Sequence, residues 1–370
     1  MIVPYMGYFI VEGLGFEPWV MSVYSLIAIG LAVTMNRVNA RRIDDGGRVH
    51  PQVGIAAFGF MAASVSVALF PTLPMVMTMG VVGFGISSSA VSTMFSLGGH
   101  MAERQGISRM RFNAYMRATT STAWMVGPAV SFLIADAFGA ITVFRAGTMA
   151  AALWLALWWF WLPRDVTAGA ATPLPGAVST QGNRALLLAA GFVFCVAAAH
   201  SLTFAALPLF YITEVGLPGF APGTAFSVKT LVEVVAVFTT PYLIARFGIR
   251  APLLAVTLLA VITIQVLASV QTFGEMLFGA ALEGLYYGLF SSLGISYVQS
   301  LAPHRPAAAT ALYWNAVMAS GILAGPAAGM IAQLWSFHAA IQVSSAVAFC
   351  AAGILLIGAR LTAEAKPAQG

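Results

Sequence analysis

The chain has 370 residues, of which 60% are hydrophobic and only 8% charged, with a formal net charge of +5 and a mean hydropathy of +0.89. Soluble domains carry roughly 25% charged residues, so a water-facing enzyme and a disordered chain are both excluded. A polytopic membrane protein remains. The basic balance does not point to nucleic acid, because in a membrane protein excess arginine marks the cytoplasmic loops. Cys195 and Cys350 lie in apolar runs, and the sequence has no CxxC or zinc spacing; no metal and no cofactor is expected. The N-terminus lacks the basic region and cleavage site of a signal peptide.

In chain order, apolar runs fall at 17–37, 51–70, 74–98, 109–135, 139–162, 185–211, 221–245, 251–270, 274–300, 307–335 and 338–359. A spanning helix needs about 20 apolar residues, so these predict eleven full transmembrane helices in an all-α protein. β-barrel spans would be half as long and would alternate. Residues 1–11 are apolar but too short to cross; they read as the outer end of a helix whose first part is missing from this chain.

Basic residues occupy every second loop. Arg37, Arg41, Arg42 and Arg48 follow the first span; Arg104, Arg109 and Arg111 come two spans later. Arg164 and Arg184, Arg246 and Arg250, Arg305, and finally Arg360 with Lys366 continue the alternation, leaving aside only Arg117, Arg145 and Lys229. This pattern places those loops and the C-terminus in the cytoplasm. The stretch 163–184 is the one long polar break. It divides the chain into a transmembrane bundle over 1–162, a cytoplasmic linker over 163–184, a second bundle over 185–360 and a tail over 361–370.

The two halves resemble each other. PYMGYFIVEG near the start matches PLFYITEVG at 208–216, and GPAVSFLIADAFG at 127–139 matches GPAAGMIAQLWS at 325–336. Matches at corresponding positions of two bundles are the mark of a transporter built from parallel repeats.

Ionisable groups inside a bilayer cost at least about 2.5–3.5 kcal/mol and are functional hypotheses by default. Lys229 and Glu233 are four residues apart on one helical face: either they neutralise each other, or Glu233 titrates with a proton affinity that answers to Lys229. Glu283 lies beside Tyr286 and Tyr287, a grouping that suits a sugar, whose hydroxyls want charged acceptors and whose C–H faces want rings. His200 sits mid-span before Pro208, as a core group or a ligand. Arg117, two turns into its helix, either snorkels to the headgroups or faces a cavity. Arg145 either snorkels or pairs with Asp136. Ser87, Ser88, Ser89, Ser92 and Thr93 either line a cavity or let helices pack closely. Gly127-Pro128 and Gly321…Gly325-Pro326 predict a bend at a tight helix interface.

Three stretches, MRATTSTAWMVGPAVSFLIADAFG (116–139), LPLFYITEVGLPGF…LVEVVAVFTTPYLIARFGIR (207–250) and YVQSLAPHRPAAATALYWNAVMASGILAGPAAGMIAQLW (297–335), resemble the major facilitator superfamily and, within it, the bacterial sugar efflux transporters. The signature between the second and third helices is degraded to VNARRIDDGGRV (38–49). The resemblance implies two six-helix bundles with the first helix largely absent. It also implies a multi-pass inner-membrane protein, monomeric, exporting a sugar-like small molecule against protons within the lipid bilayer.

On that reading Arg117, His200, Glu283, Tyr286, Trp314 and Asn315 bind substrate, and Glu233, Glu283 and Lys229 couple protons. Gly127, Pro128, Gly325 and Pro326 provide flexure. A multidrug-type efflux antiporter, or a non-transporting protein on a degenerate transporter scaffold, are the alternatives. No P-loop or HExxH supports an ATP-driven pump or an enzyme.

Overall fold

The computed structural model describes residues 2–44, 46–91, 93–94, 97–98, 101, 105–106, 109–164, 184–302 and 306–364. These form an all-helical protein that divides into two compact units, Met1–Thr172 and Pro173–Gly370. Of the linker read over 163–184, residues 165–183 fall outside the described residues, as do residues 365–370 of the tail. Among the described residues, nine helices are long and apolar enough to cross a membrane.

The first unit opens with a helical segment running through Val3–Tyr5, Met6–Tyr8 and Phe9–Gly13. Helix α1 (Pro18–Asp44) and α2 (Val49–Leu69) follow. The expected span at 74–98 is described only in part: Leu73–Met75, a π turn at Val76–Gly80 and α3 (Val81–Ser87). Helices α4 (Arg109–Phe138) and α5 (Thr142–Trp161) complete the unit. Small residues set its packing. A Cβ on Gly83 would sit on the Gly59 carbonyl, and one on Gly54 would enter the Trp158 ring, so α2 approaches α3 and α5 closely. Ser88 and Ser89 accept from Asn36 and Asn39 of α1 at 3.4 and 2.6 Å. The hydroxyl stripe after α3 therefore glues helices together.

The second unit holds α6 (Arg184–Leu209), α7 (Ala221–Phe247), α8 (Arg250–Ala268), α9 (Phe273–Ser300), α10 (Pro306–Leu334) and α11 (Phe337–Glu364). Helix α9 has 28 residues, which at 1.5 Å per residue is about 42 Å. Its glycines, tyrosines and Glu283 dilute its apolar character. A capping box starts it: the Thr272 side chain accepts from the Glu275 N–H while Glu275 accepts from the Thr272 N–H, both at 3.3 Å. Phe192, Phe290 and Tyr297 meet edge to face at the core between α6 and α9.

The stretches matched in sequence share a local structure. In the first unit the Leu14 N–H reaches Phe9 O at 2.9 Å and the Phe16 N–H reaches Ile10 O at 3.1 Å; in the second, Val215 reaches Phe210 at 3.0 Å and Leu217 reaches Tyr211 at 2.8 Å. Each π turn runs into a glycine with positive φ, 72° at Gly15 and 78° at Gly216, where a side chain would be strained. The second copy carries an extra device. The Glu214 carboxylate accepts the N–H groups of Phe337 and His338, capping α11 and tying it to the end of α6. In the first unit Gly13 occupies that place, and a Cβ there would lie 3.3 Å from Ala140.

Helices α4 and α10 run unbroken through Pro128 and Pro326. The expected tight interface fails at Gly321, where a Cβ would meet nothing within 4 Å. No ion pair joins Arg145 to Asp136 among the described residues; both are exposed.

Candidate functional site

The polar groups of the second unit gather where α6, α7 and α9 meet. Two glycines bring this about. A Cβ on Gly284 would sit on the Lys229 carbonyl oxygen, and one on Gly288 would come within 2.6 Å of the Glu233 carbonyl. Spaced i and i+4 on α9, they let its backbone lie against α7 at the two ionisable residues. That approach delivers Glu283, the neighbour of Gly284, to the same place. It is a G-x-x-x-G pattern within EGLYYG, the spacing that lets two helices approach closely.

Glu283 and Tyr286 are almost completely buried, and His200 and Lys229 are buried as well. His200 Nδ1 shares a proton with the Tyr286 hydroxyl at 3.2 Å; either group can be the donor, according to the imidazole tautomer. Glu283 Oε1 lies 3.3 Å from the same nitrogen, off the line of a hydrogen bond, and has no hydrogen-bond partner among the described residues. A buried carboxylate oxygen without a donor is costly. It gains a partner when the carboxyl takes up a proton and itself donates, or when a bound hydroxyl donates to it.

Aromatic rings link this sealed end to a more exposed one. His200 stacks on Tyr287 with centroids 3.6 Å apart. Lys229 Nζ lies 4.8 Å from the Tyr287 centroid and 5.8 Å from that of Phe204, and Phe204 stacks on Phe226 at 4.6 Å. Such placement of an ammonium over rings is itself favourable. Lys229 Nζ also meets Glu233 Oε2 at 2.8 Å, and the Glu233 side chain is 25% exposed while that of Glu283 is 2% exposed. The cluster thus has one carboxylate open to its surroundings and one sealed, with a cation and two rings between.

His200, Lys229, Glu233, Glu283 and Tyr286, all singled out from the sequence, are brought together. Trp314 and Asn315 are not: both are exposed on α10, and Trp314 packs edge-on against Tyr313. Arg117 lies on α4, but its side chain falls outside the described residues. Tyr287, read beside Glu283 from the sequence, joins the site, as do Phe204 and Phe226, to which the sequence reading gave no role. Phe204 and Phe226 stand in continuous apolar text, where an aromatic that stacks on a site and one that fills a core look alike.

Comparison with known proteins agrees with this architecture. The sequence profile of the Major Facilitator Superfamily matches residues 189–370. The crystal structure of the nucleoside transporter NupG superposes with a TM-score of 0.78, covering 96% of this chain and 94% of that one at 14% identity. The protein is a multi-pass membrane protein with the fold of a major facilitator superfamily transporter.

More particularly, it resembles the bacterial sugar efflux transporters. It is 26% identical over 359 residues to sugar efflux transporter B of Salmonella typhimurium, covering 95% of this chain and 90% of that protein. To sugar efflux transporter A of Escherichia coli it is 26% identical over 360 residues, covering 94% and 89%.

Proposed function

We propose that this protein is a secondary active transporter that exports sugars or sugar-like solutes by alternating access, driven by inward movement of protons. The observation that carries the reading is the sealed Glu283 oxygen, without a hydrogen bond among the described residues and 3.3 Å from His200 Nδ1, flanked by the rings of Tyr287 and Phe204. A carboxylate and an imidazole offer acceptors to hydroxyls, and the rings offer faces to C–H groups. The names of the relatives support the same substrate class.

Proton coupling rests on Glu233 and Glu283. Protonation of Glu233, the open carboxylate, removes the counter-charge from Lys229. A buried cation left unpaired is strongly unfavourable, and Glu283 is the other carboxylate of the cluster. Transfer of the ammonium's partnership from one to the other couples a proton at the open end to the state of the sealed end. A hydroxyl bound at Glu283 competes with that transfer, so proton and substrate exclude each other, as antiport requires. This polar cluster suits a hydroxylated solute better than an apolar drug.

We place the protein in the inner membrane as a monomer, with the arginine-rich loops and the C-terminus in the cytoplasm. A cysteine at position 175, with Cys195 and Cys350 replaced, is expected to react with impermeant reagent only in inside-out vesicles; labelling from the outside alone would reverse the orientation. The function is tested with purified protein in liposomes. Radiolabelled mono- and disaccharides should exchange across the membrane and accumulate against their gradient when a proton gradient is imposed. Failure of every sugar to exchange would overturn the substrate class, and exchange indifferent to the proton gradient would overturn the coupling.

A further inference from the structure

A groove of a different character opens between the end of α7 and the start of α8. It encloses about 380 Å³, lined by apolar residues throughout, including Leu243, Phe247, Ala251, Ala255 and Leu259. Val256 and Leu289 form its buried floor, while Phe247, Ala251 and Ala255 on its rim are exposed. Its size is that of a small-molecule site, but such sites hold a few convergent polar groups. Here the polar groups stand only at one end.

Those groups are two arginines. Gly248, with φ of 71°, turns the chain between α7 and α8 and sets Arg246 and Arg250 on either side of the turn; both are exposed. The Arg246 guanidinium lies 5.4 Å from the ring centroid of Phe247, a wall of the groove. It uses one of its five N–H donors on the Tyr242 hydroxyl at 2.6 Å. Arg250 opens α8 immediately before Ala251 and Pro252, which line the groove. An apolar channel with cations at one mouth is complementary to an amphiphile with a hydrocarbon tail and an anionic head.

We propose that this groove binds an anionic phospholipid, with one acyl chain along Ala251 and Ala255 and the phosphate held by Arg246 and Arg250. The small side chains four residues apart on α8 make the channel, and Leu243, Phe247 and Leu259 wall it. Guanidinium groups bind phosphate through paired, charge-assisted hydrogen bonds. The arginine-rich side of a membrane protein is also where anionic lipids gather. The occupant comes from the leaflet on the side of the arginine-rich loops. The site is separate from the His200–Glu283 cluster and does not depend on the identity of the transported solute.

The test is native mass spectrometry of the purified full chain, released from micelles containing equal amounts of phosphatidylglycerol and phosphatidylcholine of the same chains. Phosphatidylglycerol should be retained over phosphatidylcholine, whose choline cancels the phosphate charge, by about thirtyfold, the order expected from two arginines facing a net negative headgroup. The double variant Arg246→Gln/Arg250→Gln, changed only at exposed positions, should bring the ratio close to one. Ala255→Trp, which fills the channel, should lower retention of both lipids. A wild-type ratio near one overturns the proposal, and so does a preference that survives the arginine substitutions. Should Ala255→Trp not fold, the arginine pair decides alone.

Discussion

The His200 imidazole lies on the Tyr287 ring, with centroids 3.6 Å apart and planes 17° from parallel. Histidine and tyrosine come from different helices, α6 and α9, so the stack holds the two walls of the cluster in one geometry. It also places the imidazole edge, and not its face, toward Tyr286 and Glu283. Tyr287→Phe keeps the ring and should leave substrate affinity within about twofold, because the stack on His200 and the surface beneath Lys229 are both retained. Tyr287→Ala removes the stack and the surface beneath Lys229. Each such contact is worth about 0.5–1.5 kcal/mol, so affinity should fall by about tenfold. Equilibrium binding of a transported sugar checks both variants.

Gly284 should tolerate no side chain. A methyl group there would sit on the Lys229 backbone carbonyl, and backbone has no rotamer by which to yield. Gly284→Ala is expected to push α9 from α7 and cost about 1–3 kcal/mol of stability. It should also reduce transport, since it separates Glu283 from Lys229. Gly274→Ala is the control, because a Cβ there would meet nothing within 4 Å. Thermal unfolding of the two variants, read beside their transport, makes the comparison.

Most of the fold was legible in the sequence. Runs of apolar residues and the alternation of arginines give the helices because a bilayer leaves the backbone no other way to satisfy itself. The ionisable members of the site were legible for the same reason: Lys229, Glu233 and Glu283 are conspicuous against hydrocarbon. What brings them together was harder to read. Glycines are common in membrane helices, and nothing in the text distinguishes Gly284, pressed on a carbonyl, from Gly321, facing open space. Trp314 and Asn315, exposed on α10, stand apart from this cluster, and a tryptophan and an asparagine in apolar text do not tell which face of the helix they occupy.

The cap that Glu214 places on α11 should be a local stabiliser. Glu214→Ala leaves two N–H groups without their acceptor and is expected to cost about 1–2 kcal/mol. Glu214→Gln, which keeps one accepting oxygen, should lie between. Hydrogen exchange at Phe337 and His338 should rise in the same order. Unchanged exchange in Glu214→Ala would show that the first turn of α11 is held by packing alone.

In the proposed function, Glu233 and Glu283 carry the proton that drives export. The most direct measurement compares uphill sugar transport with downhill exchange in liposomes bearing Glu233→Gln, Glu283→Gln or both. These are isosteric changes that remove the proton and keep most of the shape. Uphill transport is expected to be lost in at least one single variant and in the double, while exchange of sugar for sugar continues. Normal uphill transport in both single variants and in the double would contradict it.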